Sequence, residues 1–138
     1  MNNQSGIQIE QLVLKRLAEH ALREIDRENY ELSIALVDAE TIKEMNKTYR
    51  GIDRPTDVLS FNLEDEYEDH FFGDVIISPE VADNNAKESG VDLLGEIKTL
   101  LVHGILHLKG HDHKKPSEAE KMEKRQDEIL LSFDELIS

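Results

Sequence analysis

Residues 91–108 read Val91-Asp92-Leu93-Leu94-Gly95-Glu96-Ile97-Lys98-Thr99-Leu100-Leu101-Val102-His103-Gly104-Ile105-Leu106-His107-Leu108. Leu93, Leu94, Ile97, Leu100, Leu101, Ile105 and Leu108 recur at a helical period, and Gly110 stops the run. Upstream, Pro79 suits the first position of another helix, with Ser78 as cap, Val81 on the core side and Gly90 closing it. Downstream, Ser117 and Glu120 form a capping box for a last amphipathic helix with Met122, Ile129 and Leu130 inward.

Toward the N-terminus, Leu12, Val13, Leu14, Leu17, Ala18, Ala21, Leu22 and Ile25 predict an amphipathic helix over residues 10–27, ended by Asn29. Asp38 caps a short helix closed by Gly51, with Ile42, Met45 and Tyr49 as its buried stripe. Residues 31–37, 57–61 and 71–78 read as strands, and Ile7 with Ile9 as a short further one. In the first of these, Leu32, Ile34 and Leu36 share one face and Ser33, Ala35 and Val37 the other. Neither face is strongly polar, so cover is expected on both sides. Asp53-Arg54-Pro55-Thr56 is a loop, and the five acids within residues 64–69 a solvated connection. Three or four strands interleaved with about five helices make an α/β or α+β unit, and 138 residues make one domain spanning 1–138.

Thirty Asp and Glu against sixteen Lys and Arg leave a net charge of −14. That balance argues against a general nucleic-acid coat protein, whose affinity comes from a cationic footprint, but leaves room for a local basic patch. The chain has no cysteine, which removes disulfides, thiolate metal sites and a cysteine nucleophile together, and fits a cytoplasmic protein. The first residues carry no secretion signal, and the longest strongly apolar stretches are too short to span a membrane.

Four of the six histidines lie between His103 and His113. His103 and His107 stand at i and i+4, so their rings lie one above the other and can converge on one ion. Gly110 lets the backbone turn back over that face. His113 is a reachable third corner, and spacing alone admits His111 in its place. Three imidazoles and one open position make the usual catalytic zinc arrangement. His20 and His70, in charged surroundings, read as surface residues. In the metalloprotease helix signature a glutamate base follows the first histidine, but here that residue is Gly104, which disfavours peptide hydrolysis by that route.

His103-Gly104-Ile105-Leu106-His107-Leu108-Lys109-Gly110-His111-Asp112-His113 resembles the histidine motif of the bacterial YbeY-type endoribonuclease family, also called the rRNA maturation factor. Residues 46–61, from Asn46 through Tyr49-Arg50-Gly51-Ile52-Asp53-Arg54-Pro55-Thr56-Asp57 to Phe61, resemble its second motif, and Gly73-Asp74-Val75-Ile76-Ile77 its third. The resemblance covers most of the chain. It implies a single-domain α+β fold related to the zinc-protease folds, with a small mixed sheet of about four strands. It further implies one Zn2+ ion on His103, His107 and His113, and a place in 16S rRNA 3′-end maturation and ribosome quality control in the bacterial cytoplasm. The family arginine falls on Arg50, where a planar guanidinium suits a phosphate. His111 stands where the family often has Tyr.

The expected activity is therefore a single-strand-specific endoribonuclease, in which a water activated by the metal on His103, His107 and His113 acts with Arg50. Arg50, Arg54, Thr56 and Lys109 are the candidate RNA-binding residues, and Lys47, Lys114 and Lys115 extend a basic rim if the two segments meet. Asp74, beside Gly73, suits either fixing a turn or standing behind a histidine ligand, and Asp112 is a further candidate carboxylate behind such a ligand. Glu96, two turns before His103, is a candidate on the substrate side, while Tyr49 and Phe61 suit base stacking or core packing. The expected partners are precursor 16S rRNA and the small ribosomal subunit or its proteins, with no membrane. Two rival readings share these residues: an assembly factor with structural zinc and no turnover of its own, and a metal-dependent amide or peptide hydrolase.

Overall fold

The helix that carries the histidines is the centre of the molecule. In the computed structural model, which describes residues 1–62, 71–110 and 116–137, it runs Leu93–Leu108 (α4) and packs on three other helices and two strands. The Asp92 carboxylate accepts the Gly95 amide at 2.7 Å and caps it, so the helix begins two residues later than its periodicity suggests. Ile97, Leu100, Leu101, Val102, Ile105, Leu106 and Leu108 are buried around most of its circumference. Glu96, Thr99, His103 and His107, spaced by three, four and four residues, form a half-buried polar stripe on the same helix.

The other elements are α1 (Gln11–Glu24), α2 (Ala39–Arg50), α3 (Pro79–Ser89) and α5 (Pro116–Ile137), with strands β1 (Asn2–Asn3), β2 (Glu31–Leu36), β3 (Val58–Asn62) and β4 (Phe71–Ile77). The strand order is β1-β2-β4-β3; β1 and β4 run parallel to β2, and β3 runs antiparallel to β4. The fold is α+β with a mixed sheet of four strands, as expected. One face of the sheet, with Ile34, Leu36, Val75 and Ile77, joins the core formed with α1, α4 and α5. The other face, with Val37, Leu59 and Ile76, is covered by Ile42 and Met45 of α2. Both faces of β2 are thus covered.

A bulge sets which residues of β4 and β3 face α4. Glu31 pairs with Phe71, but Leu32 pairs with Gly73, leaving Phe72 as the extra residue. Phe72 therefore shares the core with Val75 and Ile77 despite its odd spacing. A Cβ on Gly73 would collide with the Phe61 carbonyl oxygen and crowd Leu108 at 3.0 Å, so this position admits only glycine.

Several local expectations are corrected. The first strand is Asn2–Asn3, not Ile7 and Ile9. The Asn3 side chain bonds the Ile7 carbonyl and the Ser5 hydroxyl, folding the intervening residues into a turn. Helix α1 stops at Glu24, before Asn29, with Asp26 in a left-handed conformation and the Arg125 guanidinium on the Glu24 carbonyl at 2.6 Å. His20 is buried, not on the surface: its Nε2 lies 2.7 Å from the Ser132 hydroxyl, between α1 and α5. Tyr49 is 63% exposed, set edge-on against Phe61. Helix α5 opens at Pro116, which places Ser117 inside its first turn rather than at the cap.

Candidate metal and RNA site

The polar stripe of α4 brings His103 and His107 together. Their ring centroids are 4.9 Å apart with planes tilted by 62°, both half-buried on a helix whose other faces are packed. His103 Nδ1 lies 3.2 Å from Oε1 of Gln126 on α5. An amide oxygen only accepts, so this contact is a hydrogen bond when Nδ1 carries the proton. Two imidazole nitrogens on one helical face fit a borderline-soft divalent ion as two of its donors. Among the described residues no third His, Cys, Asp or Glu completes a ligand group. His113 and His111 lie outside the described residues, as do Asp112, Lys114, Lys115 and His70. Gly110 takes the positive φ expected of it, 105°, with its amide on the His107 carbonyl at 3.0 Å.

Gly104 lies between the two histidines on the side facing the sheet. A Cβ there would stand 2.8 Å from Cγ1 of Val75 and 2.9 Å from the Ser60 hydroxyl. The backbone of α4 therefore lies directly on β3 and β4, and position 104 has no room for a carboxylate base. The Ser60 hydroxyl donates to the Gly104 carbonyl at 3.2 Å, and the Asn62 amide donates to the Leu108 carbonyl at 2.8 Å. The second bond satisfies one of the carbonyls that the end of a helix leaves without an intrahelical partner.

Arg50 joins this assembly through the same strand. Its Nη2 donates to the Ser60 carbonyl at 2.8 Å, and its guanidinium carbon lies 5.2 Å from the centre of the Phe61 ring. Ser60 thus holds Arg50 with its backbone and the histidine turn with its side chain. Strand alternation puts Ser60 and Asn62 on the α4 face, and Phe61 with its partner Asp74 on the α2 face. Asp74 accordingly faces away from α4 and does not stand behind His103 or His107.

The remaining candidates sit further out. Arg54 is exposed in the loop after α2, and its carbonyl accepts the buried Asn46 side chain at 2.9 Å. The Thr56 hydroxyl lies 3.5 Å from the Asp57 carboxylate, which also accepts from Asn85 at 3.2 Å. Lys109 is exposed at the C-cap of α4. Glu96 is the one carboxylate of the polar stripe; burial first, and then the charge of Asp57, push its carboxyl above the ordinary glutamate range. A concavity of about 420 Å³ lined by Glu120, Glu123, Lys124, Asp127, Glu128 and Leu131 lies on α5, and its carboxylates repel a phosphate backbone.

The family model described as endoribonuclease YbeY matches residues 1–134. The chain belongs to the endoribonuclease YbeY family. Its YbeY relatives include an endoribonuclease YbeY of Aquifex aeolicus, 44% identical over 120 residues, which covers 86% of this chain and 80% of the relative. Another, from Desulfitobacterium hafniense, is 47% identical over 116 residues, covering 78% and 73% respectively. A solution structure of a Thermotoga maritima protein superposes with a TM-score of 0.63 at 30% identity, covering 98% of this chain and 93% of that one.

Gln126 is the site residue that sequence reasoning missed. The signal was present: Met122, Gln126, Ile129 and Phe133 are spaced by four, three and four residues. Gln126 is the one polar member of that inward stripe, beside three buried apolar neighbours.

Proposed function

We propose that this YbeY-family chain is a zinc-dependent endoribonuclease that cuts single-stranded RNA in 16S rRNA 3′-end maturation and ribosome quality control. The observation that carries this reading is the histidine pair of α4, joined through Ser60 to Arg50. His103 and His107, with His113, would hold one Zn2+ ion. When bound, the ion supplies Lewis acidity toward a phosphoryl oxygen and lowers the pKa of water.

The residues of the chain do the rest. Arg50, fixed by the Ser60 carbonyl and the Phe61 ring, presents planar donors to the phosphate whose charge grows during cleavage. Arg54, Thr56 and Lys109 hold the neighbouring backbone, where cationic and hydroxyl contacts fix register without reading sequence. An RNA substrate follows from endoribonuclease activity; the small ribosomal subunit as partner and the cytoplasm as location rest on the rRNA reading. No described helix is long and apolar enough to cross a membrane. The contact that fills position 104 weighs against an amide hydrolase using a glutamate base there.

The test is metal removal. Protein freed of metal, confirmed by elemental analysis, is expected to lose cleavage of a single-stranded RNA carrying the 16S 3′ region. One equivalent of zinc should restore it, and the same RNA in a duplex should stay intact. Full cleavage by the metal-free protein would refute the reading.

A further inference from the structure

We infer that Gln126 is a positioning residue that holds His103 in the tautomer able to ligate a metal through Nε2. The inference rests on the metal reading above and adds a residue outside the histidine and arginine motifs.

The inward stripe of α5 consists of Met122, Gln126, Ile129 and Phe133; the three apolar members are 2%, 0% and 3% exposed. Gln126 itself is half-buried, with its amide oxygen turned inward from that stripe. Its partner is His103, with Gln126 Oε1 at 3.2 Å from Nδ1. A neutral imidazole has one donor nitrogen and one acceptor nitrogen, and the bond made by the first decides the second. With Nδ1–H donating to the amide oxygen, Nε2 keeps the lone pair that a metal needs. The opposite amide orientation, NH2 donating to Nδ1, would place the proton on Nε2 and block ligation there.

The same contact orients the ring. Helix α5 also holds α1, through Arg125 on the Glu24 carbonyl and Ser132 on His20. Gln126 is therefore carried on a helix anchored on both sides of it, and the amide fixes the rotation of the His103 ring. Partners of this kind behind a metal-bound histidine typically change metal affinity by about 10–100-fold when removed.

Two measurements on the full chain test this. Long-range 15N–1H NMR of the metal-free wild type, at about pH 8 where imidazoles are neutral, is expected to show His103 as the Nδ1–H tautomer. A predominant Nε2–H form overturns the inference without any variant. Zinc affinity, measured by competition with a chromophoric chelator, is expected to fall about 10–100-fold in Gln126→Leu. In Gln126→Glu, which keeps the acceptor, it should stay within a few-fold of wild type. Zinc bound equally tightly by wild type and Gln126→Leu overturns this inference and leaves the metal reading standing; zinc bound by neither overturns both.

Discussion

Gly104→Ala tests the tight seat of α4 on the sheet. An exposed glycine inside a helix would gain about 1 kcal/mol from this change through propensity alone. Here the new methyl meets Cγ1 of Val75 at 2.8 Å and the Ser60 hydroxyl at 2.9 Å. Val75 is fully buried and β-branched, so it has little freedom to turn away. Overpacking of this kind costs about 1–3 kcal/mol. Displacing Ser60 also gives up its bond to the Gly104 carbonyl, about 1 kcal/mol more. The balance is a loss of about 1–3 kcal/mol, or a Tm lower by about 4–12 °C for a chain of this size. Thermal unfolding of the metal-free variant measures it directly. In a Val75→Ala background the penalty should disappear, because the added methyl then fills the space the valine vacates. A Tm that rises or stays unchanged in Gly104→Ala alone would refute the close approach of α4 to β3 and β4.

Arg50→Ala is expected to keep fold and zinc binding while RNA turnover falls about 100-fold or more; an unchanged rate removes Arg50 from the reaction. Glu96 is held above its ordinary value of 4.5 by burial and then by Asp57. Its protonated form thus favours the native state, and stability falls as pH rises from that value through the folded one. Glu96→Gln should match wild type below about pH 4 and be more stable at about pH 7 in denaturant melts; no divergence between the two would contradict the assignment. Asp92→Ala removes the carboxylate that accepts the Gly95 amide and should lower stability by about 1 kcal/mol in the same melts. An unchanged midpoint would show that this cap contributes nothing.

Much of this arrangement was legible in the sequence because it depends on short periods. The apolar repeat of residues 91–108 and the histidines at i and i+4 place His103 and His107 on one face with no knowledge of the rest of the fold. Asp38 and Ser78 cap the helices they were expected to cap, accepting from Thr41 and Val81. What escaped depends on contacts distant in sequence. The burial of His20 needs Ser132 from α5, and Tyr49 stands exposed with its ring edge-on to Phe61 of β3. The bulge at Phe72 reverses the alternation that a plain strand would show. Asp74 suited a turn or a place behind a histidine ligand, and register with Phe61 turns it to the face away from α4. Only the approach of α4 to β3 shows that Ser60 joins Arg50 to the histidine turn. Gln126 was recognisable as a polar residue in an apolar stripe, yet its partner lies 23 residues earlier on another helix.

The proposed cleavage of RNA would require a metal held on the α4 histidines. Wild type and His107→Ala, purified side by side and assayed for bound zinc, should be compared on single-stranded RNA carrying the 16S 3′ region. Stoichiometric zinc and cleavage are expected in the wild type, and neither in the variant. Equal cleavage by both proteins, or a variant that keeps stoichiometric zinc and full activity, would contradict it.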